Sequence, residues 1–77
     1  MNFEAEIVEV KRMPNTSNGN PRFSVLMNPS VGTITRLTAK DHMFVFGIVP
    51  SDLEGKLCTI TEDDDEFITN IEVTKYK

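Results

Sequence analysis

Two clusters and two single residues in this chain have side chains suited to chemistry. The first cluster is the acidic run Glu62-Asp63-Asp64-Asp65-Glu66. A calcium loop alternates its ligands with glycine and ends in a distant glutamate, and this run does neither. It reads instead as a solvated hairpin tip. In that setting Asp63, Asp64, Asp65 and Glu66 are candidates for meeting a partner or for imitating the phosphates of a nucleic acid, and Glu4, Glu6, Glu9, Asp52, Glu54 and Glu72 add acid elsewhere. The second cluster is basic. Lys11, Arg12 and Arg22 flank one predicted hairpin, with Phe23 adjacent and Arg36 further along the chain. Bases beside an aromatic ring are the parts of a groove for single-stranded nucleic acid. Phe23 also alternates with Val25 and Met27, which is the pattern of a core-facing side chain. His42 has no Ser, Cys or second His at a useful spacing and reads as a surface or helix-end residue rather than a general base. Cys58 alternates within a predicted strand and behaves as a small apolar side chain. With no glycine-rich phosphate loop and no nucleophile motif, neither catalysis nor a cofactor nor a metal is expected.

These residues must be positioned by a very small protein. Seventy-seven residues make one domain, residues 1–77, with no room for a second core. Eight basic against twelve acidic residues give a net charge of −4. That argues against a surface that binds nucleic acid non-specifically, since such binding rests on neutralised phosphates, but it leaves room for a local basic stripe. One cysteine allows no intrachain disulfide, so a reducing, cytoplasmic setting is the expectation. The segment after Met1 is charged and alternating, with neither a signal core nor a membrane span. Asn15-Thr16-Ser17 matches a glycosylation sequon and is read as a turn.

The densest turn chemistry lies in Asn15-Thr16-Ser17-Asn18-Gly19-Asn20-Pro21. Asn18-Gly19 is where the backbone reverses, because both residues tolerate positive φ. Before it, residues 2–13 read as a long strand. Phe3, Ala5 and Ile7 share one face, and the apolar phase then slips to Val8 and Val10. One extra residue near Ile7-Val8, a β-bulge, restores the register. Residues 22–28 form a second strand and Gly32 to Thr38 a third. Between Ala39 and Ile48 one or two helical turns are expected, capped by Thr38 or Lys40-Asp41, with Met43, Phe44 and Phe46 plugging the end of a barrel; the alternative is a strand, which Val45, Phe46, Ile48 and Val49 favour. Pro50 is expected to end this piece, and Ser51 to Gly55 to form a loop or single turn. Lys56 to Thr61 reads as the fourth strand and Phe67 to Tyr76 as the fifth. The order predicts an all-β fold: a small five-stranded OB-like barrel, or an SH3-like one, with a short helical segment between strands 3 and 4.

Two resemblances enter here. The bulged first strand, the Pro14-Asn15 turn, the Arg22-Phe23-Ser24-Val25 second strand and the Gly55-Lys56 start of the fourth resemble the OB-fold of bacterial translation initiation factor one. That family is basic where it meets ribosomal RNA and this chain is acidic, so the resemblance implies a fold rather than a ribosomal role. The run from Met13 to Phe23, followed by Thr38-Ala39-Lys40-Asp41, Gly55-Lys56-Leu57 and Phe67 to Val73, resembles small β-barrel proteins of actinobacteria and their phages. The Asp63–Asp65 run departs from that pattern, which has a shorter turn. This second resemblance implies a compact β domain of phage or mobile-element type and nothing catalytic.

The expectation is therefore a non-enzymatic binding module of the bacterial cytoplasm. Its partner is expected to be a protein, steered by acidic loops. The alternative is a single-stranded nucleic-acid binder using Lys11, Arg12, Arg22 and Arg36 on one barrel face.

Overall fold

In a computed structural model, which describes residues 1–74, the chain forms one five-stranded antiparallel sheet in the order β3-β2-β1-β4-β5. The strands are β1 (Asn2–Met13), β2 (Arg22–Asn28), β3 (Ile34–Leu37), β4 (Leu57–Glu62) and β5 (Ile68–Val73). The sheet curls until its ends meet. A parallel bridge joins Thr38 to Ile68, and the Ala39 N–H donates to the Ile68 carbonyl at 2.7 Å. The result is the small all-β barrel predicted, with a short helical segment between strands 3 and 4.

The first strand makes this closure possible. Its first half, Asn2 to Glu6, pairs with β4, and Glu6 to Met13 pairs with β2. The register slips between Ile7 and Glu9, so Val8 is the extra residue, 45% exposed. A bulge sharpens local twist and lets one strand serve two halves of a barrel. Beyond the bulge β4 no longer covers β1, and its backbone finds other partners. The Val10 N–H donates to Glu54 Oε2 at 2.9 Å, and the Gly55 N–H donates to the Ile7 carbonyl at 2.8 Å.

Alternation decides the core. Ala5, Ile7 and Val10 of β1, Phe23, Val25 and Met27 of β2, Cys58 and Ile60 of β4, and Ile68 of β5 all face inward and are buried. Cys58 is wholly buried, and burial pushes its thiol pKa up. It fills space, as its place in the strand suggested.

The connection between β3 and β4 differs in detail from expectation. A 3₁₀ turn, Met43–Gly47, is followed by a single α-helical turn, α1 (Pro50–Leu53). No side chain caps the 3₁₀ turn, whose N-cap is His42. Val45 is its buried residue and Phe44 packs half-buried against the core, whereas Met43 and Phe46 are 80% and 61% exposed. Met43 and Phe46 therefore do not plug the barrel. In a 3₁₀ turn residues i and i+3 eclipse, so the two share one face, and here it is the outer one. Pro50 begins α1 instead of ending a helix. It occupies the first helical position, where its missing N–H would be unsatisfied anyway. Leu53 is the residue that α1 buries.

Strand ends also move. Gly32 at φ +75° belongs to the turn after β2, so β3 starts only at Ile34. β4 runs one residue past Thr61, to Glu62. β5 spans Ile68–Val73, and the Tyr76 end of the predicted strand lies outside the described residues.

The first hairpin reverses where predicted. Gly19 donates its N–H to the Thr16 carbonyl at 2.8 Å and sits at φ +84°. The Thr16 N–H donates to the Asn20 carbonyl at 2.9 Å, which closes a three-residue loop with a left-handed last residue. A β-branched side chain is strained there although the space around Gly19 is open. Gly19→Val is expected to lose more than ~1 kcal/mol in urea denaturation. An unchanged midpoint would show that the turn is built differently.

Candidate functional site

The seam where β3 meets β5 holds Arg22, Arg36, Glu62 and Glu66 of the residues singled out from sequence. Among the described residues one isolated backbone bridge spans it, and side chains hold it on either side of that bridge.

On one side the Arg22 guanidinium lies 5.1 Å from the centroid of the Phe67 ring, and its Nε–H donates to the Thr38 carbonyl at 3.1 Å. Thr38 is wholly buried. Its N–H donates to the Phe23 carbonyl at 2.9 Å, and its Oγ1 accepts the Phe23 N–H at 3.0 Å. One threonine thus links β2, the end of β3 and β5.

On the other side Arg36 meets the acidic tip. Val25 is buried and pairs with Arg36 across the antiparallel ladder, so Arg36 faces the barrel interior. Glu62 pairs with buried Ile68 and faces inward too. Arg36 Nε lies 3.2 Å from Glu62 Oε2, and its Nη2 lies 3.8 Å from Glu66 Oε1. The Glu62 side chain is 6% exposed and that of Glu66 69%. Neither Arg36 Nε nor Glu62 Oε2 makes an aligned hydrogen bond. Burial pushes the Glu62 pKa up, and the nearby Arg36 only partly offsets it.

The four bases of the predicted nucleic-acid face are not on one face. Arg12 pairs with buried Phe23 and Arg36 with buried Val25, on the inner side, while Lys11 pairs with Ser24 and Arg22 with Met13 on the outer side. Three of the four are engaged within the chain. Arg12 lies 5.5 Å from the Phe23 ring centroid and donates to the Met13 carbonyl and to Asn15 Oδ1. Among the described residues Lys11 alone of the four makes no polar side-chain contact. Alternation alone separates Lys11 from Arg12. The pairing of Arg36 with Glu62 was not legible, because it depends on how the barrel closes.

The acidic tip is also more than a solvated turn. Asp63 Oδ1 accepts the N–H groups of Asp65 at 2.9 Å and Phe67 at 3.0 Å. Glu66 sits at φ +67°. Asp63 builds the turn through its own carboxylate, as Asp does when it competes with the backbone, and that propensity was the available signal. Asp64 and Asp65 remain exposed. Among the described residues no three His, Cys, Asp or Glu side chains converge as metal ligands.

Asp41, read from sequence as a candidate helix cap, binds the first hairpin through its carboxylate instead. It stands at φ +61°, a conformation that Asp tolerates better than most residues. Asn18 Nδ2 donates to Oδ2 at 2.8 Å, Asn20 Nδ2 to Oδ1 at 2.5 Å, and Thr16 Oγ1 to Oδ1 at 3.4 Å. These bonds, that from Asn20 foremost, hold the Asp41 pKa below its usual 3.8. The tether is therefore complete above the unfolded pKa near 3.8 and is lost as pH falls through the lower folded value. Asp41→Ala is expected to speed amide exchange at Asn18–Asn20 and lower the melting temperature. Asp41→Gly loses the same tether but relieves the positive φ, so exchange should rise equally while melting falls less. Equal melting losses would show that backbone strain plays no part.

Comparison with protein-family profiles, curated proteins and solved structures returned no match. Among the described residues no helix is long and apolar enough to cross a membrane.

Proposed function

We propose that this chain is a non-enzymatic binding module that engages a protein partner, an accessory or host-modulating factor of phage or mobile-element type working in a bacterial cytoplasm. The observation that carries this reading is the exposed pair Met43 and Phe46. A lone exposed apolar side chain is ordinary, but a Met and a Phe eclipsed on one short turn, anchored by buried Val45, form a presented apolar face. Val49, 48% exposed, lies three residues further on. Methionine adapts to varied surfaces, and the net charge of −4 favours a basic partner.

The strand order favours the OB-like reading over the SH3-like one, since β1 lies between β2 and β4 while β3 closes onto β5. OB folds often bind oligonucleotides on the face of strands 2 and 3. On this chain the outer face there carries Ser24, Leu26, Thr35 and Leu37 and no aromatic platform for base stacking. Asp41 ties the Thr-Ala-Lys-Asp segment to the Asn-Gly-Asn hairpin, so the two stretches form one surface unit.

A fluorescence titration with a mixed-sequence single strand tests the choice. No measurable binding is expected near physiological salt, because few free bases stand among twelve acidic groups. Micromolar binding that survives physiological salt and vanishes in Lys11→Glu/Arg22→Glu would establish the nucleic-acid reading instead. In capture from bacterial lysate, the protein retained by wild type is expected to be lost with Met43→Asp/Phe46→Asp.

A further inference from the structure

The first hairpin holds a peptide bond with covalent chemistry of its own. Asn18-Gly19 is the one place in the chain where glycine follows asparagine. There the Gly19 nitrogen can attack Asn18 Cγ, because glycine has no side chain to crowd the approach. The N–Cγ bond forms, the Cγ–Nδ2 bond breaks, and ammonia leaves with the proton from the Gly19 nitrogen. Water then opens the five-membered imide to aspartate, or to isoaspartate, in which the main chain runs through the side chain. Asn20 and Asn28 precede proline, whose nitrogen has no proton to give up. We infer that Asn18 is a deamidation site held closed by the Asp41 tether, and that its conversion releases the hairpin from Asp41 irreversibly.

Three features hold the site closed. First, the Gly19 N–H donates to the Thr16 carbonyl at 2.8 Å, and neither Ser17 nor Asn18 has a positive φ, so Thr16 to Gly19 form a type I turn. Asn18 takes the third position, where ψ is about 0°. Ring closure requires the Gly19 nitrogen to swing round to the side of the Asn18 Cβ, and the turn must open for that rotation. Second, Asn18 Nδ2 donates to Asp41 Oδ2 at 2.8 Å, which fixes the side-chain amide and makes its Cγ a poorer electrophile. Third, Asn20 Nδ2 and Thr16 Oγ1 donate to the same carboxylate, so both ends of the turn are tied to it. Asn18, Gly19 and Asp41 are otherwise exposed, and water reaches them once the turn opens.

The product places a carboxylate where Asp41 had a donor. Like charges at hydrogen-bonding distance repel, so the bond from residue 18 does not re-form. Asp41 stands two residues before Met43, and its release frees the lead into the 3₁₀ turn. None of this requires a partner.

The test is incubation of the full chain at neutral pH and body temperature, read by peptide mapping with mass spectrometry and by isoaspartate methyltransferase labelling. Asn18 should be the first asparagine converted, roughly tenfold or more slowly in the native protein than in the urea-unfolded chain. Asp41→Ala should speed its conversion about tenfold, the effect expected when hydrogen bonds to a charged group are lost. Asp41→Gly should speed it equally, since it loses the same bonds. Ile60→Val, which loosens the core at a wholly buried position and leaves the tether intact, should convert at the wild-type rate. Asn18→Asp, which imitates the product, should raise amide exchange at Gly19 and Asn20 as Asp41→Ala does. An Asn18 rate unchanged by Asp41→Ala, equal rates in the native and unfolded chains, an Ile60→Val rate as fast as that of Asp41→Ala, or wild-type exchange in Asn18→Asp would each overturn the inference.

Discussion

Arg36→Met is expected to lose about 3 kcal/mol of stability at pH 7, and most of that loss should disappear as the pH is lowered towards 4.5. Removing one partner of an inward-facing ion pair leaves the other charge buried without compensation, at a cost of roughly 3–5 kcal/mol. The lower end applies because the Arg36 side chain is 27% exposed. The pH dependence follows from Glu62. Its folded pKa lies above the ordinary value of 4.5, raised first by burial and lowered in part by Arg36. A carboxyl that holds its proton more tightly when folded contributes stability that is full below the unfolded pKa and lost as pH rises through the folded one. Deleting Arg36 removes the opposing cation, lifts the folded pKa further and widens that window upward. Urea midpoints at pH 7 and near pH 4.5 measure the difference. Asp41 does not confuse the comparison, because its pKa is shifted down from 3.8, below this range. An equal loss at both pH values would mean that Arg36 acts by packing its stem, with its charge irrelevant.

Thr38→Val should lose about 1–3 kcal/mol even though the two side chains are nearly the same size. The hydroxyl of Thr38 is the acceptor for the Phe23 N–H at 3.0 Å inside the protein, and valine leaves that donor buried and unsatisfied. Thr38→Ser keeps the acceptor and loses only a buried methyl. Amide exchange at Phe23 separates the two effects: protection should drop sharply in Thr38→Val beyond the global loss of stability and persist in Thr38→Ser. Phe23 protection that merely follows global stability in both variants would show that the hydroxyl is not what holds the seam. Because Thr38 also accepts the Arg22 Nε–H through its carbonyl and bridges to Ile68, local opening there should spread to Arg22 and Ala39.

The sequence by itself determined what depends on neighbours in the chain. Period-two alternation placed Phe23, Val25 and Met27 in the core, and the phase slip after Ile7 located the bulge that bends β1. Asn18-Gly19 marked the reversal because only its residue types accept that backbone cheaply. Between Ala39 and Leu53 local signals were balanced. Met43, Phe44 and Phe46 are equally apolar, and packing against β5 decided that Val45 and Phe44 turn inward. The contacts across the seam were decided by the tertiary structure alone. Arg36 and Glu62 stand 26 positions apart, and Asp41 lies more than 20 from the hairpin side chains that it holds. A residue's type states which charge or hydrogen bond it can offer. Which partner it meets depends on barrel closure, a non-local event that no periodicity in the chain encodes.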